Sequence, residues 1–277
     1  MTPEYDIAIL LATRGRTDSL GRCIHSLIDL AGNADRLQLM VAFDTDDTIG
    51  AAYFQEHLQP WMDQRELNYT AMQFERQGYH RLNVYNNKLA EHTDARWLMI
   101  WNDDAVMETQ SWDTEIMRHE GEFKLLAVHT HRDHPYSIFP ILPRKWYELL
   151  GYISPHSVQD GWLSQQAYML DIMERIPVWV LHDRADITGN NNDATFRERA
   201  ALEGRPDDPN DFHHAQQIEL RYQDSAKLAT YMQEQGLGLE FFSKVWTGEQ
   251  DPWEKLVQND VNNQMVAFEN AHTHFAK

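Results

Sequence analysis

Cysteine is nearly absent: Cys23 stands alone among 277 residues. A single thiol excludes an intrachain disulfide and any thiolate-based zinc or iron–sulfur cluster. Long apolar runs are missing too. The longest, residues 7–12, spans six residues, whereas a membrane-crossing helix needs about 20. The opening Met-Thr-Pro-Glu-Tyr-Asp has neither the basic start nor the apolar stretch of a secretion signal, so an intracellular, cytoplasmic location is expected. Positive charge is the third scarcity: 24 Lys and Arg face 43 Asp and Glu, a formal net charge of −19. No basic stripe interrupts this balance, which argues against a broad surface that holds nucleic acid by its phosphates. With 42% hydrophobic and 24% charged residues, the chain still has the composition of an ordinary globular core.

What the chain does contain is a series of short apolar segments that run into polar residues. Residues 5–12 read as a buried strand ending at Thr13-Arg-Gly-Arg16. A helix follows, opened by Asp18 or Ser19, with Leu20, Cys23, Ile24, Leu27 and Ile28 on one face. Residues 37–43 form a second buried strand, ending at Asp44-Thr-Asp-Asp47. Strand, helix and strand at this spacing make a βαβ unit and predict a parallel sheet. Helical segments are expected around 51–58 and 85–91, and a third strand, 96–101, leads into Asn102-Asp-Asp104. Beyond it come a helix at 112–119, a strand at 125–129, a helix at 144–150 and a strand at 176–181 that ends at His182. Composition shifts at 204–210. A polar helix over 212–235 follows, with Trp246 and Trp253 after it. The expected organisation is a catalytic domain over 1–204 and a helical C-terminal extension over 205–277, packed on it.

In an open α/β sheet, ligands bind outside the carboxyl ends of the strands. Three strands here end in Arg14/Arg16, Asp44/Asp46 and Asn102/Asp103/Asp104. Adjacent carboxylates at such an end suit a hard divalent cation such as Mg²⁺ or Mn²⁺. A second motif competes with this one. His129-Thr-His-Arg-Asp-His134 resembles the HxHxDH signature of the metallo-β-lactamase-fold hydrolases, with His129 and His131 on one zinc and Asp133 and His134 on another. It stands after a βαβ-type half rather than near the start, and continues as Pro135-Tyr-Ser137 where that family turns on glycine.

Taken in order, the motifs resemble the GT-A glycosyltransferases, above all the inverting family-2 type and its short bacterial and bacteriophage-like versions. The resemblance lies in Leu11-Ala-Thr-Arg-Gly-Arg16, Asp44, Gly78-Tyr-His-Arg-Leu-Asn83 and Trp97-Leu-Met-Ile-Trp-Asn-Asp-Asp-Ala105. It continues through Pro143-Arg-Lys-Trp-Tyr-Glu-Leu-Leu-Gly151, Gln159-Asp-Gly-Trp162 and His182-Asp-Arg184, covering residues 5–200. It implies an α/β GT-A fold: a mostly parallel central sheet flanked by helices. It also implies metal-dependent transfer of a sugar, with inversion, from a nucleotide sugar (a UDP-sugar in the first place) to a hydroxyl acceptor. On this resemblance Thr13, Arg14, Arg16, Asp44, Asp46, Arg81, Asn102 and Asp103 bind the nucleotide sugar. Asp104 and His182 hold Mn²⁺ or Mg²⁺, and Asp160 is the general base.

Two positions depart from the family. Asn102 replaces the first acid of the DXD metal motif, and Gln159 replaces the acid before Asp160. A helix cap is the other role open to Asp160. The acceptor is a glycan, a small molecule or a modified nucleic-acid base, the last disfavoured by the acidic balance. A non-catalytic nucleotide-sugar-binding module is a third reading, favoured by the missing carboxylate at Asn102.

Overall fold

The first strand, β1 (Ile7–Thr13), is buried on both faces. Its odd-numbered residues Ile7, Ile9 and Leu11 enter one apolar cluster, and Ala8 and Leu10 enter another, because side chains alternate across a strand. β2 (Leu37–Asp44) divides in the same way, with Leu39 and Val41 on the first side and Met40 and Ala42 on the second. Burial on both faces is why these strands read as unbroken apolar runs. The structure, a computed structural model, describes residues 3–200 apart from 132, 133, 135 and 186, residues 210–239 apart from 213, and residue 244.

β3 (Asn68–Phe74) pairs in parallel with β2, and β4 (Trp97–Asn102) in parallel with β1. Four more strands, β5 (Ala105–Met107), β6 (Leu125–Thr130), β7 (Ile141–Pro143) and β8 (Met173–His182), complete an eight-stranded sheet ordered β3-β2-β1-β4-β7-β6-β8-β5. β7 runs antiparallel to β4 and β6, β5 antiparallel to β8, and β6 parallel to β8. The mostly parallel sheet expected from the sequence is present. Strands β3, β5 and β7 were not anticipated. β3 is a half-exposed edge without an apolar run, and the other two are three residues long.

Helix α1 (Thr17–Asp29) buries Leu20, Cys23, Ile24 and Leu27 against the first cluster; its N-cap is Arg16, not Asp18 or Ser19. Helices α2 (Thr48–Tyr53) and α3 (Gln59–Asp63) are joined by a π-helical turn over Phe54–Leu58. Pro60 lies just beyond that turn and has no N–H for a regular helical bond, which favours the wider register. On the second face lie α4 (Leu82–Glu91), α6 (Arg144–Leu150), α7 (Gln159–Leu170) and α9 (Ala215–Glu234), which contribute Leu89, Trp146, Leu163 and Leu228 to one cluster. α5 (Trp112–Met117) packs on the first face, and α8 (Ala194–Ala200) supplies Phe196 and Glu198 to the cleft at the strand ends.

The polar helix α9 is tied down by buried polar contacts. Tyr152 Oη donates to fully buried Asp224 at 2.7 Å, and the Arg221 guanidinium lies over the Phe212 and Trp162 rings at 4.1 and 5.0 Å. Most of the composition break at 204–210 lies outside the described residues, as do Trp246 and Trp253. Among the described residues, no helix is long and apolar enough to cross a membrane.

Candidate functional site

The chain leaves β1 through Gly15, whose φ of +67° lies in the left-handed region that glycine adopts without strain. The Gly15 N–H donates to Asp47 Oδ2 at 2.9 Å, while Asp47 Oδ1 caps α2 by accepting from Gly50 N–H at 3.0 Å. The loops after β1 and β2 are thereby joined, and Arg14 and Arg16 leave toward different partners. Arg14 Nη1 donates to Asp44 Oδ2 at 2.8 Å and to Asp46 at 2.5 Å. The other Asp44 oxygen accepts from Tyr85 Oη of α4, which itself accepts from Gln77 N–H at 2.7 Å. Burial, together with the bond to Asp44, pushes the Tyr85 phenol up to about 12. It therefore remains a donor at neutral pH.

Asp103 and Asp104 occupy the turn between β4 and β5, and both are buried. Thr13 Oγ1 donates to Asp103 at 2.7 Å, and Arg16 Nη1 bridges Asp103 at 2.8 Å and Asp104 Oδ2 at 3.2 Å. Burial raises the Asp103 carboxyl to about 6, against the pull of Arg16. Burial acts on Asp104 in the same sense, but His182 and Arg16 outweigh it and hold that carboxyl below its usual range. β8 delivers His182 opposite Ala105, and Asp183 N–H donates to the Asp104 carbonyl at 2.7 Å, fixing the approach.

His182 Nε2 then stands 3.3 Å from Asp104 Oδ1. Both atoms are buried, and apart from this ion-pair contact with each other neither has a hydrogen-bond partner. A buried carboxylate oxygen and imidazole nitrogen that meet only each other are a donor set that fits a divalent cation. Among the described residues, three potential ligand atoms gather only at His119, Glu122 and Glu174. There the Lys124 ammonium already bridges both glutamates, so a cation is in place without any metal.

The cleft brings together Thr13, Arg14, Arg16, Asp44, Asn102, Asp103, Asp104 and His182. Asp46 is more exposed and is held by Arg14. Arg81 is exposed and outside the lining; Arg76, from the same connection between β3 and α4, lines the cleft instead. Asp160 lies half-buried in the first turn of α7, also outside the lining, and its Oδ1 accepts from Gly161 N–H at 2.8 Å. Val158 is the N-cap of α7, so Asp160 is not the cap that the sequence left open. The link from α7 to the cleft is Gln159, whose Oε1 accepts from Asn86 Nδ2 at 3.2 Å; Asn86 is a lining residue. Sequence reasoning also missed Arg76, Tyr85, Arg184 and Glu198. Only Tyr85 carried a local signal, as a polar-tipped residue on the apolar face of α4.

Among the described residues, the histidines of the HxHxDH motif gather into no zinc site. The His129 ring stacks on Trp179 at 4.5 Å, His131 Nε2 bonds Glu108 at 2.9 Å, and the His134 ring lies against Tyr136. Asp133 lies outside the described residues. Among those described, these histidines form no ligand set, which corrects the hydrolase reading: β6 delivers its histidine to an aromatic stack, and the next one meets a carboxylate beyond β5.

No protein-family model and no curated protein matches the chain. Among solved structures it is similar to the mannosyltransferase PcManGT from Pyrobaculum calidifontis in complex with GDP-Man and Mn²⁺. Identity is 12% and the TM-score 0.54, over 97% of this chain and 88% of that one. It is also similar to S. aureus TarS 1-349 in complex with UDP, at 13% identity and a TM-score of 0.48, over 96% of this chain and 80% of that one. The chain has the GT-A fold.

Proposed function

We propose that the chain is a metal-dependent glycosyltransferase that moves a sugar from a nucleotide-sugar donor to a hydroxyl acceptor. The observation that carries this reading is the buried pair Asp104 Oδ1 and His182 Nε2, which have no hydrogen-bond partner but each other, at the strand ends of a GT-A sheet. These two residues would hold Mn²⁺ or Mg²⁺, and the imidazole nitrogen favours Mn²⁺. The bound cation would neutralise charge growing on the departing diphosphate. Arg16 adds a second cation beside it. Asp44, oriented by Arg14 and Tyr85, takes the nucleotide base, and Thr13, Asp46, Asn102 and Asp103 shape the rest of the donor site. Arg81, which the resemblance assigns to the donor, is exposed and outside the lining, and Arg76 has the better position.

Asp160 is the general base in this proposal. Asp44 and Asp103 have both oxygens engaged by donors, whereas Asp160 has one oxygen on Gly161 N–H and no bond to the other among the described residues. A carboxylate with an open oxygen can accept the proton of an attacking hydroxyl, and inversion follows from that direct attack. The helical extension over 205–277 packs on a catalytic domain over 1–204, in a cytoplasmic protein whose acceptor is a glycan, a small molecule or a modified base. The sequence resemblance favours a UDP-sugar. PcManGT was captured with GDP-Man, so both bases belong in the test. A panel of UDP- and GDP-sugars is scored for thermal stabilisation and slow hydrolysis with Mn²⁺, then with EDTA. At least one donor is expected to give both effects, lost with EDTA. No Mn²⁺-dependent effect from any donor would refute the proposal.

A further inference from the structure

Asp193, just before α8, and Glu198, within it, set carboxylates against two arginines of the cleft. Arg16 donates through Nε and Nη2 to Asp193, the second bond measuring 3.0 Å. Arg76 Nη2 donates to Glu198 Oε2 at 3.1 Å, and Tyr79 N–H donates to Glu198 Oε1 at 3.1 Å. The seat is shaped for this contact: a Cβ on Gly78, where φ is +76°, would lie 2.8 Å from Glu198 Oε1. The segment leading into α8 is anchored at its root. Buried Asp183 accepts from Arg22, Thr188 and Asn190, and Ser19 Oγ donates to Asn191 at 2.8 Å. With α8 in place the cavity measures about 140 Å³, below the roughly 300–1,000 Å³ typical of small-molecule pockets.

Each of these bonds places a carboxylate on a donor that also suits a phosphate. Guanidinium forks and backbone N–H groups are the usual partners of phosphate oxygens. The cleft already holds Asp44, Asp103 and Asp104, and Arg16 and Arg76 neutralise the two further acids. A diphosphate brings more charge to the same donors.

We propose that Asp193 and Glu198 are an internal anionic ligand of the cleft, which occupies Arg16, Arg76 and the Tyr79 N–H until a nucleoside diphosphate displaces it. The inference rests on the donor site proposed above and adds to it Arg76 and the Tyr79 N–H as diphosphate contacts. It has a counterintuitive consequence: neutralising these two cleft acids tightens ligand binding. Apparent affinity scales with the fraction of protein in the open state, and each partly exposed ion pair holds the closed state only weakly. Removing both is therefore expected to tighten binding by about 3- to 10-fold.

The test is calorimetric titration of the full chain with GDP, UDP and inorganic pyrophosphate, each with Mn²⁺. Wild type is compared with the Asp193→Asn/Glu198→Gln double variant, with Arg76→Ala and with Glu75→Gln. Glu75 is an exposed acid next to Arg76 and outside the cleft lining, so it controls for the change in charge. The double variant is expected to bind about 3- to 10-fold more tightly, Arg76→Ala more weakly by a similar factor, and Glu75→Gln within about 2-fold of wild type. Equal or weaker binding by the double variant overturns the inference, as does an equal gain in Glu75→Gln. Should nucleotides fail to bind while pyrophosphate tightens, the internal ligand stands and the nucleotide-sugar reading falls. Nucleotide binding that is the same in wild type and double variant has the reverse meaning. Absence of binding by all three probes to both proteins also overturns the inference. If circular dichroism shows the double variant unfolded, Glu198→Gln alone carries the same test, because that side chain is 31% exposed.

Discussion

Asp44, at the end of β2, and Asp104, just past the end of β4, are buried to the same degree, at 5% and 6% exposure. Asp44 has both oxygens engaged, by Arg14 and Tyr85. Asp104 has one oxygen on Arg16 and the other in contact with His182 alone, at 3.3 Å. The partners of Asp44 come from the parallel part of the sheet and the helix packed on it. The partner facing Asp104 comes from β8, at the far side of the sheet order. The Asp44 carboxylate is thus fully engaged within the parallel part, whereas at the junction with β8 one Asp104 oxygen meets only His182 and is the one placed to take a cation.

That contrast can be broken at several points. The largest effect is expected outside both carboxylates, at Asp160. Asp160→Asn keeps size and helix compatibility but removes basicity, so transfer should fall by about 100-fold or more while Mn²⁺–donor affinity and Tm stay near wild type. Retained transfer would move the base elsewhere. Next comes the open side of the contrast: His182→Ala should weaken Mn²⁺ affinity by roughly 10- to 100-fold, the scale of losses at supporting metal-site groups, with little change in urea midpoint. On the satisfied side, Tyr85→Phe leaves an Asp44 oxygen short of its donor and should cost about 1–3 kcal/mol of stability, read by urea denaturation, with Mn²⁺ affinity unchanged. Equal Mn²⁺ losses in the His182 and Tyr85 variants would erase the distinction. The smallest effect is at Gly15, where a Cβ meets nothing within 4 Å. Gly15→Ala should cost only the strain of its positive φ, about 1 kcal/mol.

The same division governs what the sequence disclosed. β1, β2 and β4 are buried on both faces, so each appears as an apolar run ending in the polar residues of the cleft. Helix 144–150 was legible to the residue, between Pro143 and Gly151. Edge strand β3 was not, because a half-buried strand of Asn, Tyr, Thr and Gln carries no run. The contacts that close the cleft left no local trace: Arg16 meets Asp193 across 177 positions and Arg76 meets Glu198 across 122. Arg81 and Arg76 lie in one connection, on either side of the turn at Gly78, and Arg76 is the one that enters the cleft. The HxHxDH spacing matched a motif, but among the described residues its histidines meet Trp179, Glu108 and Tyr136 and form no ligand set.

The central claim is that the open oxygen of Asp104 belongs to a cation shared with a nucleoside diphosphate. Electron paramagnetic resonance of Mn²⁺, titrated into wild type and Asp104→Ala with GDP and then UDP, addresses it directly. The account predicts nucleotide-dependent Mn²⁺ binding in wild type with at least one of the two. It predicts none in Asp104→Ala, with the variant's circular dichroism unchanged. Equal Mn²⁺·nucleotide affinity in the two proteins would contradict it.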